Sequence, residues 1–146
     1  MRRGPVQDET FDLVYNSGVL EHFPEEESLQ MAQEMARITK KGGYVVIILP
    51  NKYCLWFRLY KKIAQLGGFW EFGYEREYSV PMIKKLARES NLEIKRLFGL
   101  QAMVALATNK MEIVPLSLRK HLIGVDKLFP WKQYYGFGVG IICKKI

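Results

Sequence analysis

A chain of 146 residues is long enough to bury the core of one domain. Its 49% hydrophobic and 25% charged content excludes a disordered tail. A formal net charge of +7 favours an anionic neighbour (nucleic acid, a phospholipid surface or an acidic substrate) without choosing among them.

The first predicted element is a short buried strand over Phe11–Tyr15, in the stretch FDLVYNSGVLEHF, with Asn16, Ser17 and Gly18 at its end. A strand that opens into small polar residues is where α/β proteins place ligands. Pro24 suits the first turn of a helix. Glu25, Glu26 and Glu27 at that end, and Arg37, Lys40 and Lys41 at the other, complement the helix dipole. Leu29, Ala32, Met35 and Ala36 share one face, and Gly42-Gly43 reads as the stop. YVVIILPN follows, a Val- and Ile-rich run of the kind found in parallel strands covered on both faces. Residues 11–49 therefore read as a strand–helix–strand unit.

Residues 52–66, KYCLWFRLYKKIAQL, read as an amphipathic helix. Leu55, Leu59, Ile63 and Leu66 form its stripe, widened by Tyr53, Trp56, Phe57 and Tyr60. Arg58, Lys61 and Lys62 are expected on the opposite face, with no acid among them. FWEFGYEREYS is an aromatic and charged loop, and Pro81 opens a helix to about Ser90. LEIKRLFGL predicts a strand after a turn at Asn91. AMVALATNK and SLRKHLIGVDKLF have helical character within an irregular insertion. YYGFGVGIICKKI reads as a last strand loosened by Gly136, Gly138 and Gly140.

Cys54 and Cys143 have no metal-type spacing and make no disulfide framework, so a reducing, cytoplasmic location is expected. No apolar segment follows the basic start, and the longest apolar runs are too short to span a bilayer.

Three stretches together resemble the C-terminal half of a class I S-adenosylmethionine-dependent methyltransferase. The small-molecule branch that includes the quinone-biosynthesis enzymes is the most similar. DETFDLVYNSGVLEHF looks like the approach to the family's fourth strand and the loop beyond it. EMARITKKGGYVVIILPN looks like the R-x-L-K-P-G-G turn into the fifth strand, with Ile38 for the usual Leu and Lys41 for the usual Pro. EYSVPMIKKLARESNLEI resembles the helix leading to the sixth strand. The implied fold is α/β and Rossmann-like, a mixed sheet with an antiparallel last strand that lacks the family's first three strands. Strands near 11–16, 44–49, 92–98 and 134–144 should order as 4-5-7-6 in family terms. Residues 1–146 then form a single partial domain. It comprises the 11–49 unit, a lid-like helix and loop over 52–80, and a C-terminal helix, strands and insertion over 81–146.

The family's Gly-rich cofactor loop, its ribose-binding acid and its adenine-framing residues have no counterpart here. Gly136-x-Gly138-x-Gly140 precedes no helix and is no substitute. The resemblance thus implies methyl transfer from S-adenosylmethionine to a small, lipid-like acceptor by a domain that is inactive alone. The rival reading is a non-catalytic remnant or module that binds a partner or an anionic membrane.

Asn16, Ser17 and Gly18 match the position that touches the methionine end of the cofactor; an ordinary turn after a strand fits them as well. Glu21 and His22 resemble part of a Glu-x-x-Glu-His metal pattern. Gly18 stands where its first Glu belongs, so no metal site is expected. His22 and Glu75 are the candidate bases if the acceptor must lose a proton. For His22, packing beside Phe23 at a helix entry is the plainer reading. Tyr53, Trp56, Tyr74 and Arg76 are candidate acceptor contacts. The basic and aromatic helix at 52–66 has the composition of an interfacial helix on anionic lipid, while a plain amphipathic helix packed on the sheet is the simpler alternative. Nucleic acid ranks last, because the cations are spread along the chain and no binding motif appears. The strand at 11–16 should form a sheet edge open to self-association, or covered by residues 1–10 or by a partner chain.

Overall fold

The computed structural model describes residues 5–100 and 128–146. The helical segment expected at 102–110, and that at 117–129 up to residue 127, lie outside the described residues.

Strand β1 (Phe11–Ser17) leads through one 3-10 turn (Leu20–His22) into helix α1 (Glu25–Ile38). Pro24 stands just before the first helical residue, and three glutamates fill the first turn. Ser28, Ala32 and Ala36 recur every fourth residue and form the buried face of α1. Ser28 Oγ donates to the Leu20 carbonyl at 2.8 Å, which ties the helix to the turn before it.

Strand β2 (Thr39–Pro50) begins immediately after α1. Gly42-Gly43 is therefore not the helix stop that the sequence suggested. The C-cap is Thr39, whose hydroxyl donates to the Met35 carbonyl at 2.7 Å. The glycines instead serve an irregularity in the strand pairing. Phe11 pairs with Thr39 but Leu13 pairs with Tyr44, so β2 carries extra residues there. Gly42 takes φ +80 within this bulge. A Cβ on Gly43 would stand 2.8 Å from the Asp12 carbonyl oxygen, so the close approach of the two strands requires glycine.

Helix α2 (Leu55–Leu66) starts three residues later than the stretch read as helical. Helix α3 (Val80–Glu89) has Pro81 in its first turn and Ser79 as N-cap, accepting from the Met82 N–H. Asn91, at φ 55, makes the turn into β3 (Leu92–Leu100). The last strand, β4 (Gly138–Lys145), starts later than expected: Tyr134 closes a 3-10 turn (Lys132–Tyr134), and residues 135–137 are turn and bend. Gly140 does not loosen this strand. A Cβ there would meet the Phe98 ring at 2.3 Å, so its bare backbone is the seat of that ring.

The sheet order is β1-β2-β4-β3. β1 and β2 are parallel, and β4 runs antiparallel between β2 and β3. This is the order the resemblance implied. Helices α1 and α3 cover one face, where Val45, Ile47 and Leu49 of β2 meet Val139, Ile141 and Cys143 of β4 beneath Ala32, Ile83 and Ala87. Burying each of these branched side chains contributes roughly 1.5–3 kcal/mol. The opposite face at the β1 end is open: Leu13 and Tyr15 are exposed, as is Tyr44 beside them. Residues 5–10 spend their hydrogen bonds on the end of α1. The N–H groups of Glu9 and Thr10 donate to the Arg37 and Ile38 carbonyls, and Arg37 binds the Val6 carbonyl and Asp8.

Candidate cofactor and acceptor site

Because β1 and β2 are parallel, both release their chains at the same end of the sheet, and the candidate site assembles there. β1 leaves through Asn16-Ser17-Gly18. Gly18 takes φ +76, a left-handed conformation open to glycine at no steric cost. A Cβ at this position would lie 3.6 Å from Glu21 Oε1, an ordinary contact, so the backbone angle and not crowding by the protein calls for glycine. Leu20 and Glu21 turn inward and are buried.

A second wall is the segment 74–78. Tyr78 N–H donates to the Pro50 carbonyl and Lys52 N–H donates back to Tyr78, so this segment runs along the end of β2. It also reaches the loop after β1: Arg76 N–H donates to the Glu21 carbonyl at 2.8 Å. His22 Nδ1 lies 2.9 Å from the Tyr74 carbonyl. A carbonyl only accepts, so Nδ1 carries the proton, and Nε2 of the neutral ring keeps a lone pair. That is the arrangement a general base needs.

A third wall is α2, and here the sequence expectation fails. Lys61, expected on the outer cationic face, is buried. Its ammonium donates to the Glu75 carbonyl at 2.6 Å and to Glu77 Oε1 at 3.2 Å, and lies 3.5 Å from Glu75 Oε1. Phe57, Lys61 and Ala64 form the packed face of α2, so the Leu stripe points away. Phe57 also meets Phe137 edge-on, with ring centroids 4.8 Å apart. The buried Asn51 completes this end: its side chain donates to the Gln133 carbonyl and accepts from the Tyr53 N–H.

The enclosed groups are chemically unusual. Burial pushes the Glu21 carboxyl above its ordinary pKa, and nearby Glu75 adds to the effect. Burial likewise raises Glu75, outweighing the attraction of Lys61. Asn16 Oδ1, Glu21 Oε2, Glu75 Oε1 and the Tyr78 hydroxyl are buried without a hydrogen-bond partner. Buried polar atoms are seldom left so, and Glu21 and Glu75, which sense each other's charge, are groups a ligand would satisfy.

The structure thus gathers His22, Tyr74 and Glu75 around the loop that carries Asn16, Ser17 and Gly18. Arg76 contributes its backbone here, but its guanidinium turns to Glu25 Oε2 at 2.8 Å and stacks on Tyr78. Tyr53 and Trp56 are exposed at the start of α2. Sequence reasoning missed Lys61, Glu77 and Asn51 as parts of this end. For Asn51 a signal existed in its place directly after the apolar strand. For Lys61 and Glu77, which sit on separate elements, there was none.

Comparison with known proteins bears on the fold. A family model for a methyltransferase domain matches residues 1–47. Comparison with curated proteins finds no match. An S-adenosylmethionine-dependent methyltransferase from Thermotoga maritima superposes with a TM-score of 0.67 at 20% identity, over 97% of this chain and 59% of its own. One from Archaeoglobus fulgidus gives 0.60 at 17% identity, over 96% and 62%. Geranyl diphosphate C-methyltransferase from Streptomyces coelicolor A3(2), in complex with Mg2+, geranyl diphosphate and S-adenosyl-L-homocysteine, gives 0.58 at 14%, over 98% and 49%. The fold is that of the class I methyltransferases in partial, Rossmann-like form. The chain spans about half to two thirds of the length of these structures.

Proposed function

We propose that this chain is the acceptor-side part of an S-adenosylmethionine-dependent methyltransferase that acts on a small, lipid-like acceptor. The observation that carries the reading is the pair of buried oxygens of Asn16 and Glu21 without a hydrogen-bond partner, with the Glu75 carboxylate held only at 3.5 Å by Lys61, beside a left-handed Gly18 at the end of β1. Acceptor oxygens suit a cationic ligand, and the methionine end of the cofactor carries an ammonium and a sulfonium. Asn16, Ser17 and Gly18 would hold that end. When bound, the cofactor supplies an activated methyl group on sulfur.

The protein's part is alignment and proton handling. Tyr53, Trp56 and Tyr74 give the acceptor side an apolar, aromatic rim, and Arg76 fixes the loop that carries Tyr74 through its own backbone bond to Glu21. Holding the acceptor in line with the methyl group accounts for most of the rate such sites achieve. His22 takes the acceptor's proton at Nε2 where one must leave, while the Tyr74 carbonyl holds its Nδ1–H. Glu75, with its raised pKa, is the second candidate for that role. The isoprenoid ligand in the Streptomyces neighbour supports an apolar acceptor.

The test is calorimetric. S-adenosylmethionine is titrated into the 146-residue chain and into a fusion that supplies the N-terminal half of the Thermotoga neighbour. The fusion should bind and the Gly18→Val fusion should bind at least tenfold more weakly. Equal affinity with and without the valine would reduce the loop to an ordinary turn.

A further inference from the structure

Helix α2 is turned inside out relative to an ordinary surface helix. Phe57, Lys61 and Ala64 are its buried face, and Leu55 and Leu66, on the opposite side, are 73% and 81% exposed. Leu59, Ile63 and Trp56 continue the exposed stripe, and Phe69 and Phe72, past the helix end, are exposed as well. The helix cannot simply roll over to bury its leucines, because Lys61 is held between Glu75 and Glu77. The apolar side is also cationic at its margin: Lys52 and Lys62 are exposed, Arg58 is half-exposed, and the segment 52–66 contains no acid. No helix among the described residues is long and apolar enough to cross a membrane.

An outward apolar stripe with a cationic margin matches one kind of occupant. We propose that α2 lies in the surface of an anionic lipid bilayer, its leucine stripe among the acyl chains and Lys52 and Lys62 at the level of the phosphates. A second copy of this chain is the poorer occupant, because two such faces would bring the same cations together in a protein of net charge +7. The orientation places the open end of the candidate site, with its exposed Tyr53 and Trp56, beside the lipid. This inference stands on the helix alone and does not require that the chain transfer a methyl group.

The test is co-sedimentation of the 146-residue chain with vesicles of phosphatidylcholine alone and of phosphatidylcholine mixed with phosphatidylserine. Binding is expected to the anionic vesicles and to weaken with salt. Lys52→Gln with Lys62→Gln should weaken it by about fivefold for each cation removed. Leu59→Glu should abolish it while circular dichroism shows the fold intact, since Leu59 packs outward. Absence of binding to anionic vesicles, or equal binding by Leu59→Glu, would overturn the proposal. So would a dimer without lipid that Leu59→Glu dissolves, which would make a second copy the occupant. Gly18→Val separates the two readings: it should weaken cofactor binding by the fusion while leaving the binding of the chain to anionic vesicles in place.

Discussion

The ammonium of Lys61 lies 3.2 Å from the carboxylate of Glu77, with both side chains largely removed from water. Glu75 and the ring of Trp70 close over the same ammonium, the ring centroid at 5.5 Å. This contact fixes α2 to the loop that carries the candidate base, and it decides which way the helix faces. Lys61→Met would leave the largely buried Glu75 carboxylate without its cation and Glu77 with Arg58 alone. It should therefore destabilise the domain by about 3 kcal/mol. Urea denaturation measures this directly. A midpoint within experimental error of the parent protein would show that Lys61 does not anchor the helix.

How much of this was legible in the sequence depends on whether the signal was local. FDLVY, YVVIIL and LEIKRLFGL announced β1, β2 and β3, because a strand buried in a sheet needs a continuous or alternating apolar run. The sheet order followed from resemblance and not from the pattern, since no local feature says that β4 inserts between β2 and β3. Gly42-Gly43 misled because the same dipeptide serves a helix stop and a strand bulge, and only the register of β1 against β2 separates them. The orientation of α2 was misread for a physical reason. Periodicity reports an apolar stripe, but the burial of Lys61 depends on Glu75 and Glu77, which reach it from a separate loop. At the site, Asn16, Gly18 and His22 were visible as a polar strand end. The coupling of Glu21 to Glu75 was not, because it arises across the fold.

Glu21 makes the stability depend on pH in a direction opposite to that of a salt-bridged acid. Its pKa is raised in the folded state by burial. As pH climbs past the ordinary carboxyl range, the unfolded chain loses this proton before the folded one does. Stability therefore falls with rising pH until the folded carboxyl has also ionised, and is flat beyond. Glu75 pushes in the same direction. Glu21→Gln should flatten this decline, so that the variant gains on the parent between mildly acidic and neutral pH. Thermal melts across that range provide the comparison. A parallel pH dependence in the two proteins would assign the decline to other groups.

Gly99 is required by packing. A Cβ there would stand 2.0 Å from the Lys132 carbonyl carbon and 2.1 Å from the Gln133 nitrogen. Both are backbone atoms of the 3-10 turn that carries Gln133 to Asn51, and backbone cannot swing aside as a side-chain tip can. Gly99→Ala should cost about 1–3 kcal/mol and lift the turn from β3. The Asn51–Gln133 bond would break with it, so amide exchange at Tyr53 should rise together with the loss of stability. Loss of stability without that change would place the strain elsewhere.

Cys143 is buried within β4, and burial pushes its thiol up to about 11. Cys54, also buried, is shifted in the same direction. Thiolate is the reactive form, so neither residue should react with iodoacetamide in the folded protein at neutral pH. Both should react once urea unfolds the chain. Rapid modification of Cys143 in the native protein would mean that the helix-covered face opens far more often than its packing implies.

Strand β1 is an edge among the described residues, paired with β2 on one side only. Its outer N–H and C=O groups and its open face, where Tyr15 is 72% exposed, form a pairing template without lysine or proline, its one charge, Asp12, being paired with Lys40. Residues 5–10 bond to the end of α1 and to Lys145, and leave that edge free. Self-association through β1 is the expected consequence, with sedimentation that depends on concentration. Tyr15→Lys tests it better than a change at Val14. Val14 pairs beside Val45 on the helix-covered face and is half-buried, so a charge there threatens the core. Tyr15 points to the open face, where lysine costs the fold little and opposes a second copy. The variant should sediment as a smaller species at every concentration where the parent associates. If the parent is a monomer throughout, and the amides of Leu13 and Tyr15 exchange freely, the edge is exposed but does not pair.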